Sequence, residues 1–327
     1  MDLSLLPAFV IMLIIYLVLL LLALLHVAYL TYVERKIIAR MQQRLGPNRV
    51  GPRGLLQPIA DVLKLLHKED IIPSAVDRPV FLIAPLIALV CGASGLAFIP
   101  LWDKFVLSNL NVGLLFILAL SSLSAYGVIL SGWASNSRYA FLGALRASAQ
   151  VISYEIAMSL ALLSVVLMAG SFNLQEIVRA QAESPFKAFV FPQIIAFFIF
   201  MVSAIAETNR VPFDLPEAET ELVAGYFVEY SGIRFALFYL AEYFGMVIMS
   251  GLAATCFLGG YLGPFEIPGL PFFWFLLKLY LLLFFYIWVR ATLPRYRYDQ
   301  LMGLGWKILI PLSLANLFLT ALFKLWL

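Results

Sequence analysis

The sequence predicts an all-α protein: a polytopic integral membrane helical bundle of about eight transmembrane helices, with an amphipathic helix at the interface in its first loop. Three observations predict it. Of 327 residues, 63% are hydrophobic and 13% charged, where soluble domains run about 45–50% apolar and about 25% charged. The apolar residues gather in blocks near the ~20 residues needed to cross a ~30 Å hydrocarbon core. Inside the blocks apolarity is continuous, without the period-2 alternation of a membrane barrel. The net charge of +3 is small, and Lys and Arg separate apolar blocks instead of forming a basic patch, so no nucleic-acid partner is expected.

The spans are expected over residues 5–32, 79–101, 110–134, 147–170, 188–206, 235–260, 272–291 and 306–326, within a single membrane domain, 1–327. The first follows Met1-Asp2 directly. It lacks a basic n-region and a small-residue cleavage site, so it reads as a span and not a signal peptide. The loop after it holds QRLGPNRVGPRG, whose Gly and Pro residues break any helix. In the following LLQPIADVLKLLHKED, Leu55, Leu56, Ile59, Val62, Leu63 and Leu66 recur at helical spacing, with Gln57, Asp61, Lys64 and Lys68 on other faces. A helix over 55–67 is too short and too charged to span and should lie at the interface. An acidic loop is expected over 207–234.

Basic residues fix the orientation. Loop one carries Arg35, Lys36, Arg40, Arg44, Arg49, Arg53, Lys64, Lys68 and Arg78; loops three, five and seven add Arg138, Arg146, Arg210, Arg234, Arg290, Arg295, Arg297 and Lys307. The opposite side has Lys104, Arg179, Lys187 and Lys324. Odd loops are therefore expected on the cytoplasmic side (or the equivalent matrix or stroma), with both termini on the far side.

Ionisable residues inside a span cost about 2.5–3.5 kcal/mol each at the helix centre. Glu155, Glu242 and Lys278 stand out. At 1.5 Å per residue they fall roughly 12, 10 and 18 Å from the cytoplasmic ends of their spans, and so are expected to cluster near mid-membrane depth. Glu207 closes the fifth span and opens an acidic segment with Asp214, Glu217, Glu219, Glu221 and Glu229. Carboxyls so close together titrate as coupled groups. A series of them from the aqueous edge to Glu155 and Glu242 has the chemistry of a proton or charge relay. A solvated or docking face accounts equally well for the loop acids. Only Cys91, Cys256, His26 and His67 carry thiol or imidazole groups, too few for an iron–sulfur, haem or zinc site. Redox chemistry would therefore use cofactors on other chains.

Several strings carry a resemblance: ERK (34–36), QRLGPNRVGPRGLLQPIADVLKLLHKED, SGWASNSRYAFLGALRASAQVISYE, AETNRVPFDLPEAETELVAGYFVEYSG, YLAEYFGMV and RATLPRYRYDQLMGLGWKILIPL. Together, in order and over essentially the whole chain, they resemble the quinone-site membrane subunit family (the 1/H type) of proton-pumping NADH:quinone oxidoreductase, respiratory complex I. The resemblance implies a subunit that forms the quinone-binding tunnel with the hydrophilic arm and couples quinone reduction to proton translocation through acidic residues. It implies no catalytic residue, metal or redox cofactor on this chain, with quinone as substrate and FMN and iron–sulfur clusters on partner subunits. The implied partners are the hydrophilic-arm quinone-site and iron–sulfur subunits, small membrane subunits, antiporter-like subunits, and membrane lipid. The implied location is a bacterial inner membrane, or a mitochondrial inner or thylakoid membrane. By the same resemblance Glu155, Glu207 and Glu242 look like an intramembrane acid path, to which the residues themselves add Lys278. Asp214, Glu217, Glu219, Glu221 and Glu229 look like tunnel-side acids; Glu34, Arg35, Arg44, Asp61 and Arg290 match charged tunnel positions; Phe235, Phe238 and Leu240 flank the tunnel mouth. Two other readings stay open: the homologous membrane component of a hydrogenase-type oxidoreductase, and a stand-alone ion transporter. The latter calls for an inverted repeat with broken helices, and none is visible.

The charge bias makes a direct prediction. A cysteine introduced at Asn48 reacts with an impermeant thiol reagent from the cytoplasmic face only; labelling from the opposite face reverses the topology.

Overall fold

A computed structural model describes residues 6–103, 105–184, 188–216, 223–263 and 270–326. The chain divides into two compact units, Met1–Lys68 and Glu69–Leu327. The first holds α1 (Leu6–Met41), a 3₁₀ turn (Pro52–Gly54) and α2 (Gln57–His67). Gly54 has φ +83°, and a Cβ there would meet the Pro47 carbonyl oxygen at 2.3 Å. The tight turn that separates α1 from α2 therefore requires glycine. The apolar stripe of α2, including Ile59, Val62, Leu63 and Leu66, is exposed, as an interfacial helix requires.

The second unit runs α3 (Arg78–Ser94), α4 (Gly113–Ala134), α5 (Arg138–Ala169), α6 (Leu174–Glu183), α7 (Ile194–Glu207), α8 (Gly232–Phe257), α9 (Leu270–Thr292), α10 (Tyr298–Gly303) and α11 (Ile310–Trp326), the last two joined by a π-helical turn, Leu304–Leu309. No strand occurs among the described residues beyond an isolated Trp102–Phe105 bridge. Seven helices are long and apolar enough to cross a membrane, one of them the combined Tyr298–Trp326. The fold is thus a polytopic membrane helical bundle.

α7 is the exception. It has 14 residues, only about 21 Å of rise, because Pro192 disfavours helix before it and Gln193 is diverted to other partners. Buried Gln193 Oε1 accepts from Asn316 Nδ2 at 2.8 Å and Ser164 Oγ at 3.1 Å, while its Nε2 donates to Thr320 Oγ1 at 2.8 Å. This node fastens the start of α7 to α5 and α11.

α5 is the central helix, packed on α4, α7 and α11. Small residues let backbones approach. A Cβ on Gly127 would meet Ala88 N at 2.7 Å, and one on Gly143 would meet Gly225 Cα and Tyr226 N at 2.8 Å. Near the start of α8, Phe81, Tyr226, Phe227, Tyr230 and Phe238 form a buried aromatic cluster, with Phe81 and Tyr230 stacked at 4.0 Å. Arg234 pairs with Asp70 at 3.0 Å, and Ser231 Oγ accepts from Ile71 N at 3.0 Å. On the loop after α3, Asp103 Oδ1 accepts from Arg179 at 3.1 Å and Tyr261 Oη at 3.1 Å. The Arg179 hydrogen bond holds the Asp103 carboxyl below the usual range. Burial, helped by the Asp103 charge, pushes the Tyr261 phenol up to about 12.

Gly143→Val forces α5 off the Gly225–Tyr226 backbone, so it costs about 1–3 kcal/mol of stability. Gly113→Ala, where an added Cβ meets nothing within 4 Å, is close to neutral. Denaturation of the two variants in detergent checks the contrast.

Candidate functional site

Three carboxyl-bearing helices of the second unit meet at the candidate site. α7 ends at Glu207 because Asn209 turns into the left-handed region at φ +50°, which asparagine tolerates. Pro212 then prevents any restart of the helix. The turn 207–214 therefore leaves the helix axis and carries an acid at each end, Glu207 and Asp214.

Glu207 and Glu242 line the same cavity of about 90 Å³, walled by Ser121 and Ser124 of α4, Thr208, Asn209, Tyr226 and Phe238, with apolar residues of α3, α4 and α8. That volume admits several waters, since one needs only about 10–15 Å³ by this measure. Glu207 Oε2 is buried with no hydrogen-bond partner among the described residues. A buried carboxyl must find a proton, a water or a donor, and the cavity beside it can supply water. Glu242 Oε1 accepts from Tyr226 Oη at 3.4 Å.

Glu242 also borders a second, polar cavity of about 10 Å³, lined by Asn209, Arg210, Val211, Asp214, Tyr239 and Arg290. This space holds at most about one water. Asp214, with a side chain 7% exposed, pairs with Arg295 at 3.1 Å. The Arg210 guanidinium lies 4.2 Å from the centre of the Tyr243 ring, a cation–π contact beside Glu242. Glu242 thus stands in the wall between an apolar chamber and a charged one.

Glu155 faces the other way. It accepts from Ser122 Oγ and lines a groove of about 340 Å³ between α4 and α5 with Leu118, Ser159 and Leu163. Ser121 and Ser122 are adjacent on α4, the first on the Glu207 cavity and the second on Glu155.

The structure does not bring Lys278 to these acids. Its Nζ donates to the carbonyls of Gly260 at 2.8 Å and Leu262 at 2.6 Å, beyond the end of α8. Glu242 lies 15 residues before the end of α8 at Phe257, about 22 Å of helical rise, and Gly260 follows beyond that end. The ammonium has three donors and no acceptor, and two of the donors meet these carbonyls of the turn that follows α8.

Among the remaining expected residues, Phe238 is buried in the aromatic cluster and lines the larger cavity. Phe235 packs on Phe227 at 5.4 Å. Leu240 and Glu229 line neither cavity. Glu217, Glu219 and Glu221 lie outside the described residues. In the first unit, Arg35 pairs with Asp61 at 2.7 Å, and Gln57 also donates to Asp61 at 2.9 Å. Glu34 is buried. Arg44 donates to Gln42 at 2.8 Å on the surface.

Sequence reasoning did not single out Ser121, Ser122, Asn209, Arg210, Tyr226 or Tyr239. The serine pair interrupting the apolar run LALSSLSAYG was the available signal.

The family model described as NADH dehydrogenase matches residues 14–321. A Rickettsia typhi protein, named as the H subunit of NADH-quinone oxidoreductase, is 57% identical over 304 residues, covering 91% of this chain and 89% of its own. The protein of that name from Rickettsia canadensis is 57% identical over 297 residues, covering 89% and 87%. Its namesake in Thermomicrobium roseum is 54% identical over 315 residues, covering 91% and 92%. Agreement on this scale, unbroken from the first span to the last, means that the chain belongs to the NADH dehydrogenase family.

Proposed function

We propose that this chain is the membrane subunit of a proton-pumping NADH:quinone oxidoreductase, forming the membrane part of the quinone tunnel and coupling quinone reduction to proton translocation through its carboxyls. The observation that carries the reading is Glu242, bordering the chamber of Glu207 on one side and the polar cavity of Asp214 and Arg290 on the other. Family membership and the names of the relatives support the same reading. Electrons travel on flavin and iron–sulfur groups of partner subunits, and quinone is the substrate. The membrane is a bacterial inner membrane, with loops one, three, five and seven on the cytoplasmic side.

The chemistry follows from position. A unit charge appearing about 10 Å from Glu242, at an effective dielectric of about 20, is worth roughly 1.7 kcal/mol, enough to move a proton equilibrium more than tenfold. Charge changes at the polar cavity during quinone reduction therefore shift the protonation of Glu242. Water in the larger chamber connects it to Glu207, and the serines of α4 lie between Glu207 and Glu155. Glu155 opens onto the groove, where the proton passes to a partner membrane subunit. The tunnel roles of Glu34, Arg35, Arg44, Asp61 and Phe235 rest on the resemblance. So do those of Leu240, Glu217, Glu219, Glu221 and Glu229. Lys278 is read as a support for the turn after α8 and not as a relay member.

Glu242→Gln keeps shape and hydrogen bonding but loses the titrating proton. The complex is expected to assemble and to keep NADH oxidation with an artificial acceptor. Quinone-linked turnover and pumping fall together, by about 10²-fold, the scale of a lost proton-transfer group. Glu242→Asp retains more of both. Normal pumping by an assembled Gln variant refutes the relay.

A further inference from the structure

Gln150 lies on α5, five residues before Glu155, and is fully buried. Its Nε2 donates to the carbonyls of Ala206 at 2.6 Å and Phe213 at 2.8 Å, with Asn209 Oδ1 at 3.4 Å. A primary amide places two donors on one uncharged atom, and here two carbonyls take them. Those carbonyls flank the acidic turn: Glu207 follows Ala206, and Asp214 follows Phe213. Gln150 Oε1 has no partner among the described residues, so the side chain is held through its donors. Tyr154, one turn along the same face of α5, packs on the Phe213 ring at 5.7 Å and donates from its hydroxyl to Leu301 O at 2.9 Å. Glu155 is the next residue. The turn also carries Arg210, seated over Tyr243 beside Glu242.

We propose that Gln150 is a positioning residue for the proton-coupling carboxyls: its amide clamps the turn bearing Glu207 and Asp214 against the helix bearing Glu155, so that the three acids keep one fixed spacing. This rests on the relay reading above. Without the clamp the turn can rotate about the end of α7. Glu207 then leaves its place in the chamber, and Arg210 moves relative to Glu242. The loss falls chiefly on proton transfer, which depends on the spacing of the acids.

The test uses the assembled complex in native membranes. Gln150→Met keeps length without donors, Gln150→Glu keeps shape without the NH₂, and Gln150→Asn keeps both donors on a shorter arm. The Met variant, which lacks both donors, is expected to lose about tenfold or more in kcat for quinone-linked NADH oxidation, and the Glu variant, whose protonated carboxyl keeps one donor, loses less. KM for quinone stays within about twofold of wild type, on a scale where tenfold marks a whole lost interaction. Protons moved per electron pair fall, and the Asn variant recovers part of both. A purely structural role gives fewer complexes, each with full kcat and a full proton ratio, and overturns the proposal. If Met and Glu fail to assemble, an assembled Asn variant with wild-type kcat and proton ratio overturns it too. Glu242→Gln run in parallel separates the two readings. If it pumps normally, the relay itself fails; if it stops pumping while the Gln150 variants pump normally, only the clamp fails.

Discussion

Water is scarce inside this bundle, so each polar group must be satisfied by the protein or by a cavity placed beside it. Much of the architecture follows from that constraint. Three buried glutamines each tie helices together through several bonds. Gln150 holds the turn after α7, and Gln193 holds the start of α7. Gln181 donates to Thr255 O and accepts from the amides of Phe189 and Gly259. Serines in the spans bond back to carbonyls three or four residues earlier, as Ser131 does to Val128. Glu207 and Glu242 are different. They border open volume, and a carboxyl beside a small chamber can exchange its proton with water, whereas a neutral amide does not titrate.

Close packing makes that chamber possible. Gly127, Gly132 and Gly143 bring α3, α4, α5 and the Gly225–Phe227 turn into backbone contact. The remaining volume is concentrated where Glu207, Glu242, Ser121 and Ser124 converge. The aromatic cluster around Phe238 closes one side of it, with Tyr226, Phe227 and Tyr230 edge-on to that ring at 5.0–5.6 Å. The wall that keeps bulk water out thus also supplies the Tyr226 hydroxyl that faces Glu242.

The fold was legible in the sequence because hydrophobic block length is a strong, local signal. The short α7 was not, since its start depends on Gln193 finding partners 29 and 123 residues away. The acids of the site were legible for a related reason: a charge in an apolar run is conspicuous. The neutral groups that position them were not. Gln150 and the serine pair carry no charge, and their roles depend on which carbonyls and carboxyls the tertiary packing sets opposite them.

Lys278 marks the limit of reasoning from depth. Its sequence position gave a cation well inside a span, and Glu242 offered an obvious partner at a similar depth. Depth along a helix axis says nothing about which neighbour lies across the interface. In the turn after α8 the carbonyls of Gly260 and Leu262 accept from Lys278 of α9, and two carbonyls can hold an ammonium without a carboxylate. Lys278 is therefore not the counter-charge of Glu242. The surroundings of that carboxyl include a tyrosine hydroxyl, a water-sized polar cavity and the arginines lining it. Neutral and charged groups thus meet at one carboxyl, and a change of charge at any of them shifts its proton equilibrium.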